Sequence, residues 1–295
     1  MKNKLLNKIG AVVISASLAI VSFAGSAEFF NLKAFAAGKT GTTETGITYE
    51  CVNGIMAVTG YTGNESDIVI PATIDGIKVT SIATGSFKEA QIDSVDIQAK
   101  LTVLNESVFE SSTVREVTLP SSIKKINRYA FYNCQSLTSI NFPEGLLTIG
   151  NDAFVNTQLG DIVFPESLQE IGNYAFAGTY GNITSIKVTG ETSIGSDAFQ
   201  GAALKSVDLG TKSTTIGGSA FYCCYGLENI KFSPTNILGS GGIGGILGHC
   251  ESLKNVDLSE LQIGYVPQEM FYNCTSLETV TLPSTCVSIG KMAFY

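Results

Sequence analysis

The chain of 295 residues contains no tryptophan and a single histidine, His249. With one imidazole there is one candidate general base for a Ser/His/Asp or Cys/His site, and His249 occupies a slot filled by Asn133 and Asn273 in matching stretches of sequence. A polar side chain that fits a turn explains it. Seven cysteines are present without a C-x-x-C pair, so no zinc motif is indicated. No catalytic, cofactor or metal site is expected. The glycine-rich run Gly239–Gly245 is followed by no Gly-Lys-Ser/Thr, which removes a phosphate loop. Basic residues are also scarce, at 18 Lys and Arg against 26 Asp and Glu. An acidic surface repels phosphate backbones, which excludes nucleic acid as a partner.

Long apolar runs are confined to the start. Lys2, Lys4 and Lys8 precede the uncharged stretch Ile9 to Ala24, followed by Gly25-Ser26-Ala27 and Ala34-Phe35-Ala36. This pattern predicts a secretory signal peptide over residues 1–37. The apolar stretch falls short of the roughly 20 residues needed to span a bilayer, so no membrane insertion is expected after cleavage. Losing Lys2, Lys4, Lys8, Lys33 and Glu28 with it takes the formal charge from −8 to −11. A secreted or cell-surface location follows.

What the chain has in abundance is one repeat. Phe87, Phe109, Phe131, Phe154, Phe176, Phe199, Phe221, Leu247, Phe271 and Phe294 recur every 22 to 26 residues. Such a period means a solenoid, in which each unit buries its apolar face only against neighbours. A typical unit runs Leu137-x-x-Ile140-x-Phe142-Pro143, then Leu146-x-x-Ile149-Gly150, then Ala153-Phe154. The first part predicts a short strand with one buried face, ended by proline. The second turns the chain back. Asn151 to Phe154 begins with capping-type residues and predicts a short helical turn. Cys134, Cys224, Cys250 and Cys274 each lie three places after the repeat phenylalanine or leucine, where other units have Ala, Ser or Thr. Small buried packing residues are expected there rather than disulfides.

The strand pattern and the Ile-Gly-x-x-Ala-Phe-x-x-Cys-x-x-Leu signature, clearest over Ile126–Leu137, Ile149–Leu159 and Ile289–Phe294, resemble the BspA-like (Treponema-type) leucine-rich repeat of bacterial surface proteins. The expected fold is an α/β leucine-rich-repeat solenoid dominated by β structure. It would have short parallel strands, short helical or 3-10 turns and a right-handed superhelix. Residues 38–67 are expected to form a flexible terminus (38–45) and a capping hairpin turning at Asn53-Gly54. Residues 68–295 would hold about ten units. The last is incomplete, and a fragment of a longer protein is the expectation. The resemblance implies non-catalytic adhesion to an extracellular protein or a host-cell or matrix ligand, with the chain monomeric. A second reading makes the repeats the targeting or spacer arm of a larger secreted or wall-anchored enzyme. A third, a carbohydrate-binding solenoid, is disfavoured by the missing tryptophan and the lack of aromatics on the strand row.

On each strand, positions three and five should face outward. Read along the stack they form a ladder of small polar and charged groups, and solenoids bind partners on such surfaces. The candidate partner-binding residues are Asp96, Thr118, Asn141, Lys187, Asp208, Lys231, Asp257 and Thr281. The glycine-rich Gly239–Gly248 segment, in the longest gap between repeats, is read as a tolerated insertion.

Overall fold

The computed structural model describes residues 38–238 and 245–295. The expected signal peptide and most of the glycine-rich segment lie outside the described residues. The rest is a stack of coils built on three hydrogen-bonded columns.

The first column is the predicted strand row. Asp67–Ile70, Ser94–Ile97, Glu116–Thr118 and Ser139–Ile140 pair in parallel, as do Ile162–Val163, Ser185–Lys187, Ser206–Asp208 and Asn229–Lys231. Asn255–Asp257 pairs with Thr279–Thr281 further on. The second column runs up the opposite side in strands of two or three residues, seven of them from Val103–Leu104 to Ile237–Leu238. It keeps strict register, with Ile126, Ile149, Ile171, Ile194 and Ile216 side by side. All five are fully enclosed, so the two columns pinch the core from both sides.

The third column carries the repeat phenylalanine, and here the expected helical turns do not form: no described residue is helical. The residues two before and two after each phenylalanine instead adopt the left-handed conformation. Tyr129, Asn133, Asp152, Asn156, Tyr174, Asp197 and Cys223 all have φ between 56° and 59°. A helix would turn the N–H groups back into its own coil. The left-handed residues send every second N–H along the axis, so that Tyr129, Phe131 and Asn133 donate to the carbonyls of Asn151, Ala153 and Val155 in the next coil. A left-handed L-residue costs roughly 1–2 kcal/mol, and the axial hydrogen bond offsets part of it.

These turns hold the phenylalanines in a continuous stack from Phe87 to Phe221, with centroids 5.0–5.5 Å apart and planes within 22° of parallel. Buried Leu247 interrupts it before Phe271 and Phe294 resume. The four predicted packing cysteines are free thiols, and each donates to a carbonyl of the preceding coil: Cys134 to Phe109, Cys224 to Phe199, Cys250 to Phe221 and Cys274 to Leu247. Thr157 and Thr179, at the same slot, bond instead to the phenylalanine carbonyl of their own coil.

At the amino end, β1 (Lys39–Thr42), β2 (Ile47–Val52) and β3 (Ile55–Tyr61) form an antiparallel meander, with Asn53 and Gly54 left-handed at the hairpin turn. Residues 39–42 are therefore a paired edge strand, not the flexible segment expected of 38–45. Lys39 bonds Asp75, and Gly41 leaves room for the Tyr49 ring. Following β4 (Asp67–Ile70) and β5 (Thr73–Ile74), β6 (Ile77–Ile82) pairs in parallel with β3 and joins this sheet to the coils.

Candidate functional site

All eight predicted residues sit on the outer face of the first column, exposed or half-buried. Inward neighbours such as Ile186, Val207 and Val256 fill the core, and the alternation of the strand turns the next residue to solvent. The structure gathers four of the eight. Lys187, Asp208, Lys231 and Asp257 line a shallow groove of about 660 Å³, together with Asp161 and Glu260. Asp96, Thr118 and Thr281 lie on the same face beyond it.

Asn141 is a different case. Its Oδ1 accepts from the N–H of Leu119 at 2.7 Å and its Nδ2 donates to the Leu119 carbonyl at 2.9 Å. The side chain stands in for a backbone rung, and the strand Ser139–Ile140 ends beside it. Beyond lies a cavity of about 270 Å³ between Ser139 and Asp161, separating the two four-stranded sheets of this column. The Asn141 amide is thus engaged with the fold, while the residue stays exposed on the outer face.

Along the groove the fifth-position residues alternate in sign, Lys187, Asp208, Lys231, Asp257. The first three are direct register neighbours across parallel strands. No ion pair closes among them: those of the described residues join Lys39 to Asp75, Lys88 to Glu110 and Lys212 to Glu166. The carboxylates instead take local backbone donors, the Gly210 N–H for Asp208 and the Ser259 N–H for Asp257. The Ser259 bonds hold the Asp257 carboxyl below its ordinary value. Burial opposes ionisation of Asp161, but the Thr184 and Ser185 N–H groups and the Thr184 hydroxyl outweigh it and hold that carboxyl low as well. The groove thus offers fixed charges whose remaining lone pairs and protons face water.

Asp161 occupies the third, outward position of its strand and was not among the candidates. Sequence reasoning missed Glu260, which lies past the strand where the repeat pattern carries no signal. His249 is held between the rings of Tyr222 and Tyr272, with Nδ1 3.1 Å from Asn273 Nδ2. Among the described residues no group of three or more His, Cys, Asp or Glu converges as a metal cage, and no helix is long and apolar enough to cross a membrane.

The likenesses to known proteins agree with this architecture. A crystal structure of a leucine-rich repeat protein from T. pallidum superposes with a TM-score of 0.52 at 24% identity, covering 73% of this chain and 87% of that one. That likeness carries the fold. The pneumococcal vaccine antigen PcpA gives 0.47 at 17% identity, over 87% of this chain and 86% of that one. A leucine-rich cell surface protein from Faecalibacterium prausnitzii gives 0.38 at 19%, over 88% and 96%. No curated protein matches the chain in sequence. The family described as "BspA type Leucine rich repeat region (6 copies)" matches residues 61–183 and 171–295, nearly the whole stack of coils. The chain belongs to the BspA-type leucine-rich repeat family.

Proposed function

We propose that the protein is a secreted or cell-surface binding protein without catalytic activity, and that it captures an extracellular protein or matrix partner on the outer face of its first strand column. The observation that carries this reading is the unpaired alternating row Lys187, Asp208, Lys231 and Asp257 along a groove. Complementary charge gives specificity and speeds encounter more than it adds affinity, so a partner with its own alternating charges is the natural match. Family membership supports a surface role, as does the cell-surface description of the F. prausnitzii protein. The amino-terminal 37 residues act as the export signal in this reading. The coils wind right-handed, as crossovers between parallel strands do in about 98% of cases, and the chain works as a monomer.

The test is capture of the full chain on immobilised extracellular-matrix proteins, wild type against Asp208→Lys with Asp257→Lys. Both residues are partly or fully exposed, so the fold should persist. Binding to at least one matrix protein is expected, with a tenfold or greater loss in the double variant. No capture by any of them, or capture unchanged by the reversal, removes the assignment. The rival role, a targeting or spacer arm of a larger enzyme, would leave this surface silent.

A further inference from the structure

A second concave surface lies on the turn column, away from the charged groove. It occupies about 430 Å³ and runs from Tyr132 to Tyr225, across five consecutive coils. At the coil spacing of about 5 Å that is a trough on the order of 20 Å long. Its walls are aromatic. Tyr180, Tyr225 and Tyr174 are 69%, 54% and 42% exposed.

The floor has a local cause. At the left-handed position two places after the phenylalanine, other coils carry Asn133, Asn156, Cys223, His249 or Asn273, but these two carry Gly178 and Gly201. The missing side chains open the trough, and the Tyr180 ring lies across both. A Cβ on Gly178 would stand 3.2 Å from Tyr180 Cε2, and one on Gly201 would stand 3.6 Å from Cε1. Tyr180 itself belongs to the longest connection between a repeat phenylalanine and its strand, seven residues from Phe176 to Ile183 against five or six elsewhere. The polar groups along the trough are Asp152, Asn156 and Gln200, and no lysine or arginine lines it. Beside it, the Asp197 carboxylate, to which the Tyr174 hydroxyl is bonded, raises the Tyr174 pKa.

We propose that this trough is a binding site for a neutral oligosaccharide. Exposed tyrosines present flat apolar faces with a polar tip, which suits the C–H faces and hydroxyl rims of pyranose rings. Asp152, Asn156 and Gln200 supply acceptors and donors for those hydroxyls, the pattern by which a few placed polar groups orient a ligand. No cation lines the trough, and Arg128, outside the lining, is the positive charge that acts on Asp152, so neutral sugars suit the site better than phosphate, sulfate or uronate chains. The open, elongated shape suits a chain of sugars rather than one ring.

The experiment is calorimetric titration of the full chain with cellohexaose, chitohexaose and mannohexaose. With no tryptophan present, tyrosine emission gives a second readout of the same site. Saturable binding of at least one hexasaccharide is expected. Tyr180→Ala with Tyr225→Ala should weaken it tenfold or more, since truncated aromatic anchors commonly cost that much. Gly201→Asn should weaken it too, because asparagine occupies this left-handed position in other coils and would fill the floor while the coil stays folded. Asp208→Lys with Asp257→Lys should bind sugar as the wild type does. No binding at about 10 mM sugar, ten times a millimolar Kd, overturns the proposal. So does binding that survives the tyrosine variant, or that falls equally with the sheet-face variant. A trough that captures matrix protein and no sugar would also overturn it, while loss of matrix capture alone bears on the charged groove.

Discussion

The carboxamide of Asn141 bonds both backbone groups of Leu119, replacing a peptide rung with a side chain where one parallel sheet stops. Asn141→Ala removes two hydrogen bonds, both to the backbone of buried Leu119, and should lower stability by about 1–2 kcal/mol. The urea midpoint measures this. Partner capture by the folded variant should match the wild type, because the amide faces its own backbone.

Phe176 packs between Phe154 at 5.0 Å and Phe199 at 5.2 Å, with planes within 7° of parallel. Phe176→Ala leaves a cavity between two rings that cannot close without shortening the coil. A loss of about 3–5 kcal/mol is expected. Because each coil is stabilised by its neighbours, hydrogen exchange should show the loss concentrated around coils four to six rather than spread evenly. Uniform loss along the axis would contradict nearest-neighbour stacking.

The thiols divide into two classes. Cys134, Cys224, Cys250 and Cys274 are buried, whereas Cys51, Cys223 and Cys286 are half-buried. Dithionitrobenzoate should label at most three of the seven in the native protein and all seven after guanidinium. Rapid native labelling of a fourth would refute the packing.

Burial also pushes the Cys134 and Cys274 thiols up to about 11, from an ordinary 9.0. A raised folded value favours the neutral form. The associated stability is fully present below pH 9 and is lost as pH rises from 9 toward 11, where the unfolded chain ionises first. Thermal scans across this window should show a steeper decline for the wild type than for Cys134→Ala.

Asp161 has the opposite sign. Its carboxyl is held below the ordinary 3.8 by donors from the next coil, so its contribution is present above that value and disappears as pH falls through the folded one. Asp161→Asn should therefore flatten the acid limb of the stability curve. Identical acid limbs would show that those bonds contribute nothing in solution.

Much of this molecule is legible in its residues. The spacing of the phenylalanines locates every coil, the alternation in each strand sorts Lys187 and Asp208 outward from Ile186 and Val207 inward, and the shared Ala/Ser/Thr/Cys slot identifies the buried thiols. The turns were misjudged because their left-handed positions are filled by Tyr129, Asp152, Asn156 and Cys223 as readily as by glycine. Bonding between coils sustains that conformation, and such bonds leave no local signature. Asn141 lies outward as the alternation expects, but its bonds to Leu119 are not legible in the residues, because a side chain that imitates backbone has no periodicity. The tyrosine trough has a different cause: Tyr180 and Tyr225 share the place four after their phenylalanines, but neighbouring coils put Gln135, Gln158 and Ala203 there, so the slot shows no aromatic pattern.

The alternating signs of Lys187, Asp208, Lys231 and Asp257 make the outer face a ruler with a phase. Coils are about 5 Å apart, so the pattern repeats every 10 Å or so. A matching ligand displaced by a single step would find attraction turned to repulsion at every mark. Sliding is thereby penalised, and recognition would come in steps of two coils, a discrete set of docked positions on a scaffold whose backbone is otherwise the same at each level.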